Sequence, residues 1–333
     1  PILVPNGPRA LAVDPRGIQQ YLYVVCEVAN SVAVVDRRSR QVVRSINVGR
    51  RPYAIAMTPG GERAFVTNSD DDTVSVIDTT TNNVVSTIQL VPPTTAQPVG
   101  TTGQVTQAIK LTPKGIASNA NGTHIYVACA GGYMIQLDGA APVAATTTTA
   151  ATAGQNYTAT RNLPLTGAVS PLNVAVASET TAATTTGPGT ATDSVYISDP
   201  QGNKIFYVAS NATTANPVQA SGTPWGMAVH RNAAGKADRL FVTQSSLNAV
   251  AQYTLPDLGS GAGANIEGHN PQSIAASPVG DEIYVSVTGD NNVAVMTVGT
   301  NGTLSRPSYF QTNSLNQEFV TSTGEIALGG YLF

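Results

Sequence analysis

Three features of the sequence predict an all-β chain folded as a β-propeller of four-stranded blades: a repeat of roughly fifty residues, four short β-prone runs inside each repeat, and the absence of helical periodicity. The repeat is plainest where residues 52–67, 113–128 and 271–286 superimpose without a gap. Each copy opens on a proline and a short apolar run, turns through a glycine, and closes on an aromatic residue followed by valine. Looser copies begin at Pro8, Pro171 and Pro224. This spacing is that of a propeller blade rather than of a helical solenoid.

The elements of one blade can be read in order from the second repeat. Residues 54–57, 64–67, 73–77 and 84–88 are β-prone runs, punctuated by Pro59-Gly60-Gly61 and by turns at 68–72 and 79–83. Short runs bounded by Gly, Pro, Asn and Asp are strands joined by tight turns. Gly61, Gly122 and Gly280 recur at one turn position, the mark of a backbone conformation with positive φ that glycine adopts without a Cβ clash. Beyond Asn313 the runs 318–322 and 326–333 suffice for two strands, and residues 1–4 for one more. The expectation is therefore seven blades in a single domain spanning 1–333, with the ring closed by N- and C-terminal strands; a six-bladed ring with a C-terminal tail is the alternative. Thr/Ala-rich insertions at 91–104, 140–160 and 180–192 interrupt the repeat. They read as surface excursions, either tolerated loops or extended hairpins that contact neighbouring molecules.

Several stretches carry a family resemblance: Ala-Phe-Val-Thr-Asn ending at Asn68, Asp-Asp-Thr-Val-Ser-Val-Ile-Asp ending at Asp78, Asn-Asn-Val-Val-Ser-Thr-Ile ending at Ile88, and Ser-Val-Ala-Val-Val-Asp ending at Asp36. The chain resembles the Tyr-Val-Thr-Asn (YVTN) repeat propellers, which occur in surface-layer proteins and in YncE-like periplasmic proteins. The resemblance covers most of residues 6–313, is fullest in the first two repeats, and implies a scaffold rather than one activity.

Composition narrows the function classes. Lys plus Arg is 17 and Asp plus Glu 20, a formal net charge of -3, and only 11% of residues are charged, against roughly 25% in ordinary domains. Binding nucleic acid by phosphate neutralisation needs a cationic surface that this composition does not supply. No run approaches the roughly 18 apolar residues of a spanning helix. Two cysteines, Cys26 and Cys129, hold the same strand position in two non-adjacent repeats; they read as free, buried apolar fillers. The chain begins at Pro1 without a charged-then-apolar leader, so it reads as processed or trimmed. Uncharged Thr-rich loops suit a secreted, cell-surface or periplasmic setting, where Asn121, Asn156, Asn211 and Asn301, each in an Asn-x-Thr pattern, are glycosylation acceptors.

Two classes of loop gather on one face of such a ring, around the channel mouth. The loops leading into each blade supply Arg9, Arg51, Tyr53, Trp225 and His269. Those between second and third strands supply Glu27, Asn68, Asp199 and Asp290. Together they form a polar rim for a ligand or partner. Asp70, Asp71 and Asp72 pack three carboxylates into one turn, the donor chemistry of a Ca²⁺ site, although Asp is also a default turn residue. No other cofactor is implied, and no Gly-x-Ser-x-Gly elbow or phosphate-binding loop occurs. The expectation is an extracytoplasmic structural or protein-interaction module, such as the subunit of a surface layer, filament or other assembly, working through protein partners or self-assembly. The alternative is a lactonase- or lyase-like small-molecule enzyme at the channel mouth, served by His269, Glu27 and the rim arginines.

Overall fold

The computed structural model describes residues 2–16, 21–92, 109–139, 156–180, 191–260, 263–277, 281–300 and 302–311. Every regular element among them is a strand, apart from one turn of 3-10 helix at Ser245–Leu247. The strands form six antiparallel sheets. The first blade is β1 (Pro8–Val13), β2 (Tyr21–Cys26), β3 (Ser31–Asp36) and β4 (Gln41–Asn47); the second is β5 (Pro52–Met57), β6 (Arg63–Asn68), β7 (Thr73–Asp78) and β8 (Asn83–Gln89). The third comprises β9 (Pro113–Ser118), β10 (His124–Cys129), β11 (Tyr133–Asp138) and β12 (Thr158–Pro164); the fourth β13 (Val174–Thr180), β14 (Ala191–Asp199), β15 (Lys204–Ala209) and β16 (Asn216–Gln219). The fifth has β17 (Pro224–Arg231), β18 (Ala237–Gln244) and β19 (Ala249–Thr254), with its outer edge split into β20 (Gly259–Ser260) and β21 (Ala264–Asn265). The sixth is β22 (Pro271–Ala276), β23 (Glu282–Val287), β24 (Asn292–Thr297) and β25 (Ser308–Gln311).

The first strand of each blade touches the first strand of the next in the sequence β1, β5, β9, β13, β17, β22. These six strands therefore line the axis, and the apolar cores lie between blades rather than within them. Phe65, Ile88, Ile125 and Leu137 fill the gap between the second and third blades; Tyr126, Met134, Ile197 and Phe206 fill the next. Burying each such side chain contributes roughly 1.5–3 kcal/mol. Because strand side chains alternate between faces, each strand of an inner blade serves the core on either side.

Six blades are described, not seven. Residues 314–333, expected to supply a seventh, lie outside the described residues, and among those described no comparable contact joins β22 back to β1. Residues 2–4, expected to form a strand, are not in one. Ile2 and Val4 instead pack on the far face of the first blade, against Val24, Cys26, Ala33 and Val35. The strands also run further into two insertions than composition implied. Thr158 and Thr160 belong to β12, Tyr157 is buried with its ring edge-on to Phe65 at 4.7 Å, and Thr180 pairs with Ala191 across the β13–β14 hairpin. Residues 140–155 and 181–190, and 93–104 of the first insertion, lie outside the described residues. At the shared turn position, Gly61 and Gly122 have φ of 77° and 73°, as their recurrence predicted; Gly280 is not among the described residues.

Candidate functional site

A repeated hydroxyl strut fixes the channel mouth. Thr67 Oγ1 accepts the N–H of Ala54 in its own blade at 3.1 Å and donates to the carbonyl of Lys114 in the next at 2.7 Å. Ser198 accepts from Asn173 and donates to Trp225, and Thr243 accepts from Gly226 and donates to Gln272. Between the third and fourth blades, whose equivalent strand position is Ala128, the N–H of Gly115 bonds directly to the Leu172 carbonyl at 2.7 Å. A Cβ on Gly115 would lie 2.4 Å from that oxygen, so only glycine permits the approach. These bonds place Lys114, Leu172, Trp225 and Gln272 at one level of the inner strands, with Arg9 and Tyr53 at the matching positions of the first two repeats. Blades one to three contribute Arg9, Tyr53 and Lys114 to this ring, and the half from blades four to six is uncharged.

A second repeated device consumes the turn carboxylates and amides. Asn30, Asp72 and Asn248 sit at positive φ between the second and third strands of their blades, a conformation Asn and Asp tolerate best among residues with a Cβ. Their side chains accept the backbone N–H of Arg51, Thr112 and Asn270 at 2.8, 2.7 and 3.0 Å. Each acceptor belongs to one blade and each donor opens the next. Asp71, Asp199 and Asp290 tie the incoming loop of their own blade: Asp71 accepts from Arg50 N, Asp199 from Val169 N and Ser170 N, and Asp290 from His269 N.

The rim residues expected from the sequence therefore divide. Asn68 and Asp199 are fully buried, Asn68 donating to the hydroxyls of Thr73 and Ser75 inside its own sheet; both serve the scaffold. Trp225 is half-buried and its carbonyl takes the Ser198 strut. His269 is 77% exposed in its side chain and its Nδ1 lies 3.2 Å from Asp290. The His269 amide and then its ring hold the Asp290 carboxyl below its ordinary range. The three consecutive carboxylates diverge: Asp70 faces Arg51 and Lys110 at 3.7 and 3.8 Å, Asp71 pairs with Arg50 Nε at 2.6 Å, and Asp72 caps Leu111 and Thr112. Among the described residues, no group of three or more His, Cys, Asp or Glu stands together that could hold a metal ion.

Arg9, Glu27, Arg51 and Tyr53 do converge. Glu27 bridges two arginines, Oε2 to Arg9 Nη1 at 3.0 Å and Oε1 to Arg51 Nε at 3.2 Å. The Arg9 guanidinium carbon lies 3.5 Å from the Tyr53 ring centroid, and Lys114 Nζ lies 4.1 Å from the same centroid. A cation over an aromatic face is attracted by the ring quadrupole, so Tyr53 holds both cations near each other. Burial, and then the charges of Arg9 and Arg51, push the Lys114 ammonium down to about 8, against a weaker upward pull from Glu27 and Asp70. Lys114 and Lys110 were missed as rim residues, although Lys114 occupies the position after the repeat's proline that Tyr53 occupies in the second copy.

No family model and no curated protein matches this sequence. Solved structures do match. The chain is similar to a streptogramin B lyase, at a TM-score of 0.64 and 14% identity, over 97% of this chain and 88% of that one. It is similar to the virginiamycin B lyase from Staphylococcus aureus at 0.62 and 12%, over 93% and 85%, and to the WD40 repeats of RRP9 at 0.68 and 8%, over 98% and 84%. The fold is a β-propeller. At such identities the likeness extends to the propeller alone, which hosts unrelated functions.

Proposed function

We propose that this propeller is a protein-interaction module of an extracytoplasmic assembly, and that copies of the chain or a protein partner dock on the channel-mouth face of blades one to three. One observation carries the reading: this face presents cations and carboxylates in alternation, Arg50–Asp71, Arg51–Glu27 and Arg51–Asp70–Lys110. Arg50 and Arg51 are 72% and 57% exposed in their side chains. Exposed pairs of this kind contribute about 0–1 kcal/mol to folding. What they do well is select a partner whose charges alternate in the opposite sense. The turn carboxylates that would otherwise attract a chemical role are engaged in bonds to backbone amides. Charge-poor, Thr-rich insertions support placement outside the cytoplasm.

The test is sedimentation velocity across a wide concentration range, with electron microscopy of the same samples. Assembly growing with concentration, and dispersed by Arg50→Glu with Arg51→Glu, supports the reading. A strictly monomeric species at high concentration, in the absence of partner, removes self-assembly. Protease accessibility on intact cells decides the compartment.

A further inference from the structure

The inner part of the mouth differs from the outer rim in one respect. In blades one to three the carboxylates at the mouth are already engaged, Glu27, Asp70 and Asp71 with arginine or lysine and Asp72 with the amides of Leu111 and Thr112, and the cations outnumber them: Arg9, Arg50, Arg51, Lys110 and Lys114 against these four. Lys114 Nζ forms no hydrogen bond or ion pair among the described residues; its contact is with the Tyr53 ring. The chain as a whole is anionic, at -3, so this local surplus is set against the overall charge.

We propose that the cationic half of the channel mouth is a binding site for a small carboxylate, held by Lys114 Nζ and Arg51 beside the Tyr53 ring. The arrangement of Glu27 gives the chemistry: one planar carboxylate spans two guanidinium groups, one oxygen to each, the geometry for which arginine is suited. A ligand carboxylate at Lys114 supplies the partner that Glu27, committed to Arg9 and Arg51, does not. The Tyr53 ring at the site favours a ligand with an apolar body over a bare ion, because an aromatic side chain contributes contact area and a polar edge together. The charged groups that face Lys114 are Arg9 on β1, Glu27 after β2, Arg51 just before β5 and Asp70 after β6, with the Tyr53 ring of β5 in contact. An anion added beside the Lys114 ammonium stabilises its charged form. This site does not depend on the assembly reading, since it is read on dilute, unassembled protein.

The experiment uses the whole chain labelled with [ε-13C]lysine. The sequence has four lysines, Lys110, Lys114, Lys204 and Lys236, so each resonance can be followed. Benzoate is the probe; acetate, inorganic phosphate and chloride are the comparators. The expected result is that benzoate raises the titration midpoint of the Lys114 resonance by about one unit, equivalent to a tenfold preference for the charged lysine, and does so at lower concentration than acetate. Lys114→Met should weaken benzoate binding about tenfold by calorimetry, Lys114→Arg should retain it, and Lys236→Met should leave it unchanged. The proposal is overturned if benzoate leaves the resonance unmoved, if chloride at equal ionic strength moves it as far, or if phosphate binds more tightly than benzoate. It is equally overturned if Lys114→Met, shown folded by its thermal transition, binds benzoate as the parent does.

Discussion

The hydroxyl of Thr67 in the second blade donates to the carbonyl oxygen of Lys114 in the third at 2.7 Å, while accepting the amide of Ala54 at 3.1 Å. One side chain thus joins two backbone groups across a blade boundary. Replacing it by valine keeps the shape but leaves the Lys114 carbonyl and the Ala54 amide without a partner. The expected cost for Thr67→Val is about 1–3 kcal/mol, the penalty of an unsatisfied buried polar group. Thr67→Ser, which retains the oxygen, should lose clearly less. Urea denaturation midpoints decide it, and equal stability of the valine variant would show that the strut carries no load.

Thr112 adopts a φ of 49°, a left-handed conformation that a β-branched residue reaches only with strain. The strain is tolerated because Asp72 accepts its amide at 2.7 Å and that of Leu111 at 3.3 Å. The sixth repeat places Asn270 at the same position, with a φ of 58°. Thr112→Asn should therefore stabilise the protein by about 0.5–1.5 kcal/mol, whereas Asp72→Ala should destabilise it by about 1–2 kcal/mol. Thermal unfolding of the two single variants and the double variant measures both effects and their coupling.

Cys26 and Cys129 are free and fully buried. Burial pushes the Cys26 thiol up to about 11 and raises that of Cys129 further. The thiolate is the reactive species, so neither should react with an aromatic disulfide reagent at pH 8 in the native protein, and both should react once it is unfolded. Rapid labelling of either in the native state would mean that its blade opens locally.

The strand pattern was legible because its causes are local. Short β-prone runs, turn prolines and the glycines at 61 and 122 each specify a conformation from their own chemistry, and the outcome matches them closely. The mouth was only partly legible. Asp199 and Asn68 looked like rim residues because their types suit a surface, yet both are used internally: Asp199 accepts two amides some thirty residues earlier in the chain, a relation that spacing does not reveal. Lys114 was overlooked for the converse reason. Its importance comes from Arg9 and Tyr53 in two other blades, and only the ring geometry brings the three together. The blade count depended on the chain's ends, where the repeat loses its opening proline and the pattern gives no register.

Lys114 also makes the stability of the protein depend on pH in a defined sense. Its native value of about 8 lies below its ordinary 10.5, so between these limits the unfolded chain binds the additional proton. Stability contributed at this site therefore rises as pH increases through that window, because the cost of holding the ammonium among Arg9 and Arg51 is relieved. Other groups act in the opposite direction: Tyr23, Tyr126 and Cys26 are all raised by burial, so their unfolded forms ionise first and stability falls at higher pH. The difference between the parent and Lys114→Met isolates the lysine. The methionine variant should be the more stable of the two at pH 7, and the gap should narrow steadily up to pH 10. Denaturation midpoints at half-unit intervals provide the measurement, and a gap independent of pH would place the Lys114 ammonium in ordinary solvent.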